Sequence, residues 1–479
     1  MDVINSAPPF GRMQLDTTLS RPLVIEGTAV ALLLGLLYSL SPTTAWMAIA
    51  FAVIIRWAAY GLPRSERRWV IGILAVSVAL RAVAIAIIAW RNDPLRQSFS
   101  TVFGDALYAI KMSLWIRNTY VGLPIQPRDY LEAFDIDYGH TSYHMILAIL
   151  QVFVGPAPYG VHVLSVVLYL AGIVAVYRTV RIGYGRLAAF AGLGAALFLP
   201  TLFLWSILPL KESAYFFFMA MTISAVAGFF RSRSWARRAG ALVLAGASLV
   251  AISSLREGGL VLALGGLTAG LAAALLVRWR LVLLVVVVLA PFAIVRAVAT
   301  PAIHDRILSG MRESAARHLG HVGTPGTSYR LLDDDAFYRG HLVRDYHTLT
   351  FDEGVRFVAR SIVAFVLVPR PWEPSTPLAI YMAPQQVVWY ALVAFAVIGA
   401  LAGLRRDRLL TCLLAGNVIV GVLVIAPNSG NVGTLIRHRD MVVPFVVWLS
   451  GVGVLATMTR FGGRLPDVTS GQPGKSAWL

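Results

Sequence analysis

The chain has 479 residues, of which 58% are hydrophobic and only 14% charged, against roughly 25% charged in soluble domains. Apolar runs of about twenty residues recur along it, which excludes a soluble globular fold and reads as an all-α polytopic membrane protein. The net charge of +17 would suggest nucleic acid in a soluble chain, but here the arginines sit in short connections between apolar runs, where the positive-inside rule puts them, so nucleic acid is set aside as a partner.

In chain order, spans are predicted near 22–41, 44–61, 69–90, 160–178, 187–205, 213–230, 238–254, 259–277, 281–298, 385–403, 409–426 and 441–458, about twelve in all. The first run, Pro22 to Leu40, is too long for a signal-peptide core and is followed at once by a second, so it is expected to be a retained span. Residues 1–68 then hold two additional N-terminal spans, 69–298 a transmembrane core, 385–458 the C-terminal spans and 459–479 a cytoplasmic tail. Basic connections at 64–68, 178–186, 231–238, 278–280 and 405–408 alternate with loops of mixed or no charge, which places both termini in the cytoplasm. Two apolar runs, Tyr143 to Val154 and Val355 to Val368, are expected to be interfacial or re-entrant helices. Counting either alone as a span would flip every later loop. They belong to two large outer-face loops, 91–159 and 299–384. The single cysteine, Cys412, lies inside an apolar run, so neither a disulfide framework nor a cysteine metal site is expected.

With that topology, several ionisable residues gather at the outer ends of spans. Asp105 follows the third span, with Tyr108 and Lys111 behind it. Lys211 and Glu212 lie in a turn so short that the Glu212 carboxylate must sit near the hydrocarbon boundary, where an unpaired charge is costly. A helix-capping pair is the plain reading of Lys211 and Glu212, and a second active-site acid the functional one. Arg256, Arg437 and Arg439 suit a phosphate clamp, since a guanidinium near the bilayer boundary needs an anion and its fork matches phosphate oxygens. Lipid headgroups would serve them equally. Of 41 basic residues only three are lysines, and Lys111 and Lys211 are two of them. Asp137, His140 and His144 recur at i, i+3 and i+7, a spacing that metal sites use. Interfacial packing explains that trio as well, so a divalent cation stays open and no cofactor is certain. His438 lies between the two C-terminal arginines of the clamp, and Arg81 sits near the middle of the third span.

These pieces resemble the integral-membrane glycosyltransferases of the GT-C superfamily, especially the bacterial branch similar to protein O-mannosyltransferases and lipid A aminoarabinose transferases. The resemblance rests on the Arg-ended span before Asp105 and Tyr108, the interfacial helix from Tyr143 ending in Val154-Gly155, Tyr177-Arg178-Thr179-Val180-Arg181 at a span end, and Leu210-Lys211-Glu212 after the fifth span. A looser echo is Gly433-Thr434-Leu435-Ile436-Arg437-His438-Arg439. It covers roughly residues 70–260. The chain departs from the O-mannosyltransferase pattern in having Asp105-Ala106 where that family has an acidic pair.

The resemblance implies an enzyme of the bacterial plasma membrane, active on its outer face. It would move a sugar from a polyprenyl-phosphate carrier to a lipid, glycan or protein acceptor, with inversion. Asp105 and Glu212 would be the catalytic acids, Arg256, Arg437, Arg439 and Lys211 would bind the carrier phosphate, and Tyr108, Lys111, His140, His144 and His438 would contact donor or acceptor. The rival readings are a polyprenyl-linked glycan polymerase or ligase and a lipid-carrier flippase or transporter. The transporter reading fits less well, because such proteins place acids near the bilayer midplane.

Overall fold

The computed structural model describes residues 21–40, 42–91, 104–134, 142–155, 158–324, 326–340, 343–372 and 377–461. Three long helices come first: α1 (Arg21–Leu40), α2 (Pro42–Ala59) and α3 (Arg64–Arg91). Three shorter ones follow, α4 (Gly104–Tyr120), α5 (Pro127–Phe134) and α6 (Ser142–Val154). The core then runs through α7 (Pro158–Tyr184), α8 (Arg186–Phe198), α9 (Pro200–Ile207), α10 (Lys211–Arg231), α11 (Trp235–Leu255), α12 (Gly259–Arg278) and α13 (Arg280–Val298). Next come α14 (Pro301–Val322) and α15 (Phe351–Leu367), separated by two short 3-10 turns. The last four helices are α16 (Pro377–Arg406), α17 (Arg408–Ile425), α18 (Val432–Arg439) and α19 (Val443–Phe461).

Among the described residues nine helices are long and apolar enough to cross a membrane, or ten if the bent pair α8–α9 is counted as one span, against the twelve expected. The apolar stretches of the first two expected spans are shorter, Val24–Leu33 and Ala45–Ala59. The two apolar runs set apart as interfacial are indeed short helices, α6 and α15, and neither is among the candidate spans. The central helix is α7, with 72% of its span buried, whereas none of the α13 span is buried.

The fifth expected span is broken because Pro200 has no N–H for the carbonyl of Ala196, and the axis turns by 61° there. Apolar surroundings tolerate such a break only if the freed carbonyls find donors. Tyr169 Oη donates to Ala196 O (2.6 Å), and Arg81 Nη2 donates to Leu197 O (3.0 Å). Arg81 is itself fully buried. It also donates from Nε to Ser206 Oγ (2.8 Å) and from Nη1 to the Ser77 carbonyl (3.3 Å), with Phe203 and Tyr169 rings beside its guanidinium. The intramembrane arginine is therefore turned into the bundle, where it binds the backbone of the broken helix.

Helix pairs approach closely where side chains are absent. A Cβ on Gly453 would strike the Phe395 carbonyl across α16 and α19, and one on Gly416 would lie 2.6 Å from Gly266 O across α12 and α17. One end of the bundle collects the basic connections, and ion pairs tie it. Glu66 accepts from Arg181 Nε (2.6 Å) and Nη2 (2.8 Å) and from Tyr177 Oη (3.0 Å), joining α3 to α7. Arg231 pairs with Asp407, joining α10 to α17, and Arg406 donates to the Tyr184 carbonyl (2.9 Å).

At the opposite end, α14, α15 and the segment between them form a small unit with its own core, including Met311, Ala315, Leu332, Phe337 and Phe357. A capping box at Thr350 and Glu353 starts α15. The unit holds the segment before α18 by backbone bonds: Tyr329 N donates to Gly430 O (3.0 Å) and Val432 N to Thr327 O (2.8 Å). Two histidines on one face of α14 add to this, with His318 Nδ1 at 2.8 Å from Ser429 O and His321 Nδ1 at 2.7 Å from Asn428 O. Tyr338 Oη already accepts from Leu331 N and Leu332 N, so its one hydrogen goes to His318 Nε2 (3.1 Å). His318 is thereby the neutral Nδ1–H tautomer, and burial draws it down to about 4.

Two outcomes follow from this packing. Arg81→Leu leaves the Leu197 carbonyl unanswered and should cost about 2–3 kcal/mol, the worth of charged hydrogen bonds, read as a lower apparent Tm in detergent. The contribution of neutral His318 is complete above its ordinary value near 6.5 and is lost as pH falls from there toward 4. The apparent Tm should therefore drop between pH 7 and pH 5, and drop less in His318→Gln.

Candidate functional site

At the end opposite the basic connections, four elements converge on one arginine. The chain leaves α9 in an extended conformation through Leu208-Pro209-Leu210 and re-enters a helix at Lys211, which places Glu212 in the first turn of α10. Its side chain is only 8% exposed. A carboxylate withdrawn this far from water needs cations, and two reach it. Arg437 Nε donates to Glu212 Oε1 (2.9 Å), and Arg256 Nη1 lies 3.5 Å from the same oxygen. Glu212 Oε2 is buried and has no hydrogen-bond partner among the described residues.

Arg256 caps the C-terminus of α11 in an extended conformation, and Gly258 two residues on takes φ +72°, which lets the chain reverse into α12. Arg437 belongs to α18, whose N-cap Asn431 accepts from Gly433 N (2.8 Å). Its second arm completes the arrangement: Arg437 Nη1 pairs with Asp105 Oδ2 in the first turn of α4. The Asp105 side chain is 62% exposed, against 18% for Arg437. Burial pulls Arg437 down to about 10, which leaves it charged at neutral pH.

His438 is the next residue, and burial together with the cations Arg256 and Arg437 pushes it well below its ordinary value, so it is neutral. Its ring faces His321 of α14 at 6.3 Å between centroids. Lys211 is half-buried at the start of α10, close enough for its charge to bear on His438. The structure thus brings together Asp105, Glu212, Arg256, Arg437, His438 and Lys211.

Other expected site residues stand apart from this group. Arg439 is buried on the opposite side of α18, where Nη1 donates to Gln386 Oε1 (2.9 Å), Nη2 bonds Val368 O, and Phe365 and Trp389 flank the guanidinium. Its bonds are to protein groups, which corrects the expectation that it shares the clamp with Arg437. Lys111 is exposed on α4. Tyr108 and His144 meet edge to face at 5.6 Å, joining α4 to α6. Asp137 and His140 lie outside the described residues, and no group of three metal-ligating side chains occurs among those described.

Two features were not singled out from the sequence. His321 supports the segment leading into α18 and faces His438. Asp440, just after α18, is buried and accepts from Thr201 Oγ1 (2.9 Å), beside a cavity of about 20 Å³ that Gln385, Gln386 and Arg439 also line. That is room for about one water. Burial pushes Asp440 up to about 7.

Chemically, the arrangement pairs an exposed carboxylate, able to accept a proton, with a buried carboxylate and a set of cations able to hold an anion. Compared with known proteins, the chain matches no family model, no curated sequence and no solved structure.

Proposed function

We propose that this chain is an inverting membrane glycosyltransferase that takes a sugar from a polyprenyl-phosphate carrier, similar to the GT-C superfamily, with its site on the outer face of a bacterial plasma membrane. The observation that carries the reading is the convergence of Asp105 and Glu212 on Arg437, 225 residues beyond Glu212, with Arg256 at the same point. In the proposed reaction, an acceptor hydroxyl attacks the anomeric carbon and gives its proton to an Asp105 oxygen. The bond from that carbon to the phosphate oxygen breaks, and the electron pair leaves with the polyprenyl phosphate. Cations near the leaving oxygen offset the charge that develops there. Arg256, Lys211 and Arg437 fill that role, so this chemistry does not call for a metal. Glu212 positions the arginines rather than the acceptor, because its carboxylate is buried between them.

Asp105→Asn keeps the shape of the side chain and removes its basicity. It should fold and still bind donor while losing about two to four orders of magnitude in transfer rate. Glu212→Gln should lose less in rate and more in donor affinity. Release of carrier phosphate from a radiolabelled polyprenyl-phosphate sugar measures both, and near wild-type transfer by Asp105→Asn would sink the assignment.

The proposed orientation has its own check. Cys412 is buried, so introduced cysteines report alone. Arg233→Cys and Arg405→Cys should be shielded from an impermeant thiol reagent in intact cells, and Ser309→Cys on α14 should react. Labelling of Arg405→Cys from outside would reverse the topology.

A further inference from the structure

We propose that the anionic phosphate of a lipid-phosphate ester entering the site takes Arg437 from Asp105 but leaves it bound to Glu212, so that Asp105 is freed to accept a proton only when the donor, a phosphodiester, is in place. The inference rests on the reading above and adds a control device to the same site.

Its basis is the inequality of the two pairs that Arg437 makes. Both acids engage one guanidinium, Glu212 through Nε and Asp105 through Nη1. Glu212 is 8% exposed, and losing Arg437 would leave a buried carboxylate with Arg256 alone at 3.5 Å, a costly state. Asp105 is 62% exposed, and on release it is rehydrated at little cost. Ion pairs with such an exposed partner are worth about 0–1 kcal/mol, so an incoming phosphate anion displaces this one first.

The geometry of the guanidinium allows the exchange. Its Nε edge stays with Glu212, while the Nη1 side turns from carboxylate to phosphate, for which the same planar fork is suited. A further cation stands at the same point, since Arg256 Nη1 lies 3.5 Å from the Glu212 oxygen that Arg437 Nε holds. α18 does not have to move, since backbone bonds from residues 327–329 and the two histidines of α14 hold the segment that leads into it. The exchange is a side-chain event on a fixed helix.

The consequence is an order of events. While Arg437 holds an Asp105 oxygen, one of the carboxylate's lone pairs is engaged and the guanidinium's charge opposes transfer of a proton to it from a hydroxyl, whether of acceptor or of water. Once the phosphate draws the guanidinium away, the carboxylate faces the substrate unpaired. The base is thus uncovered by the molecule whose bond it helps to break.

A double-mutant cycle on binding tests the device without needing turnover. Farnesyl phosphate, the carrier half of the donor, serves as probe, with the full chain in phosphatidylcholine nanodiscs, in wild type, Asp105→Asn, Arg437→Gln and the double variant. Asp105→Asn removes the competitor for Arg437 and should tighten farnesyl phosphate binding about three- to tenfold. In the Arg437→Gln background the same substitution should change affinity by less than about twofold. An equal gain in both backgrounds would mean that Asp105 acts only as a nearby negative charge, and would overturn the proposal. So would a gain for farnesol, which lacks the phosphate.

Inorganic phosphate is the second probe. The same coupling at weaker affinity would show that the phosphate alone drives the exchange, and coupling with farnesyl phosphate only would show that the chain must dock first; both support the exchange. Should Arg437→Gln not survive purification, Arg437→Met takes its place, because it keeps an unbranched stem but has neither charge nor donor and should abolish the coupling equally. The transferase reading fails separately, by absence of sugar transfer in wild type, and the binding cycle stands whatever that assay returns.

Discussion

The site depends on the burial of one carboxylate. Glu212 lies where α10 begins, at the boundary of the apolar bundle, and a charge there is tolerable only with cations in contact. The helix that carries it supplies none in contact, so the fold brings Arg256 from the end of α11 and Arg437 from α18. This requirement explains why so short a helix as α18 is ordered. An eight-residue helix has little stability of its own. It is held by an Asn431 cap, by the backbone bridge to residues 327–329 and by the burial of Leu435 and Ile436. The unit built from α14 and α15 is therefore the clamp that aims Arg437, rather than a passive connection between spans.

The same logic governs the middle of the bundle. Arg81 and the break at Pro200 each look like a defect when taken alone, one a charge in an apolar span and the other a helix with unsatisfied carbonyls. Together they cancel, because the guanidinium supplies the donor that the bent backbone lacks. The bend in turn directs α9 and the extended Leu208-Pro209-Leu210 so that α10 starts with Glu212 facing α18. A feature deep in the membrane-spanning part thus sets the position of an acid at its end.

Much of this was legible in the sequence, and the rest was hidden for identifiable reasons. Span positions followed from apolar runs and basic connections, which is why α7, α10, α12 and α17 fall where they were expected. The broken span was missed because Pro200 interrupts hydrogen bonding without interrupting hydropathy. The convergence on Arg437 joins segments over two hundred residues apart, and no local pattern encodes it. The separation of Arg437 from Arg439 was within reach: residues two apart on a helix point to nearly opposite sides, so a clamp made of both required α18 not to be a helix. Likewise His318 and His321, three apart on α14, had to share a face, and the amphipathic pattern of that helix was the signal that they pack as a pair.

Charge pairs occur at both ends of the bundle with the same residue types, and their saturation separates structure from candidate function. Glu66 spends both oxygens on Arg181 and one also on Tyr177, and Asp407 divides its oxygens between Arg231 and the Leu410 amide that it caps. Neither of these carboxylates can take a further ligand without giving up a packed contact. At the other end Glu212 keeps a buried oxygen without a partner among the described residues, and Asp105 holds its arginine from a largely exposed position. A buried polar atom left unsatisfied costs about 1–3 kcal/mol, and among the described residues the buried carboxylate oxygens in that state, Glu212 Oε2 and Asp440 Oδ2, both lie at this end. The unsaturated end is the one where a ligand has something to gain by binding.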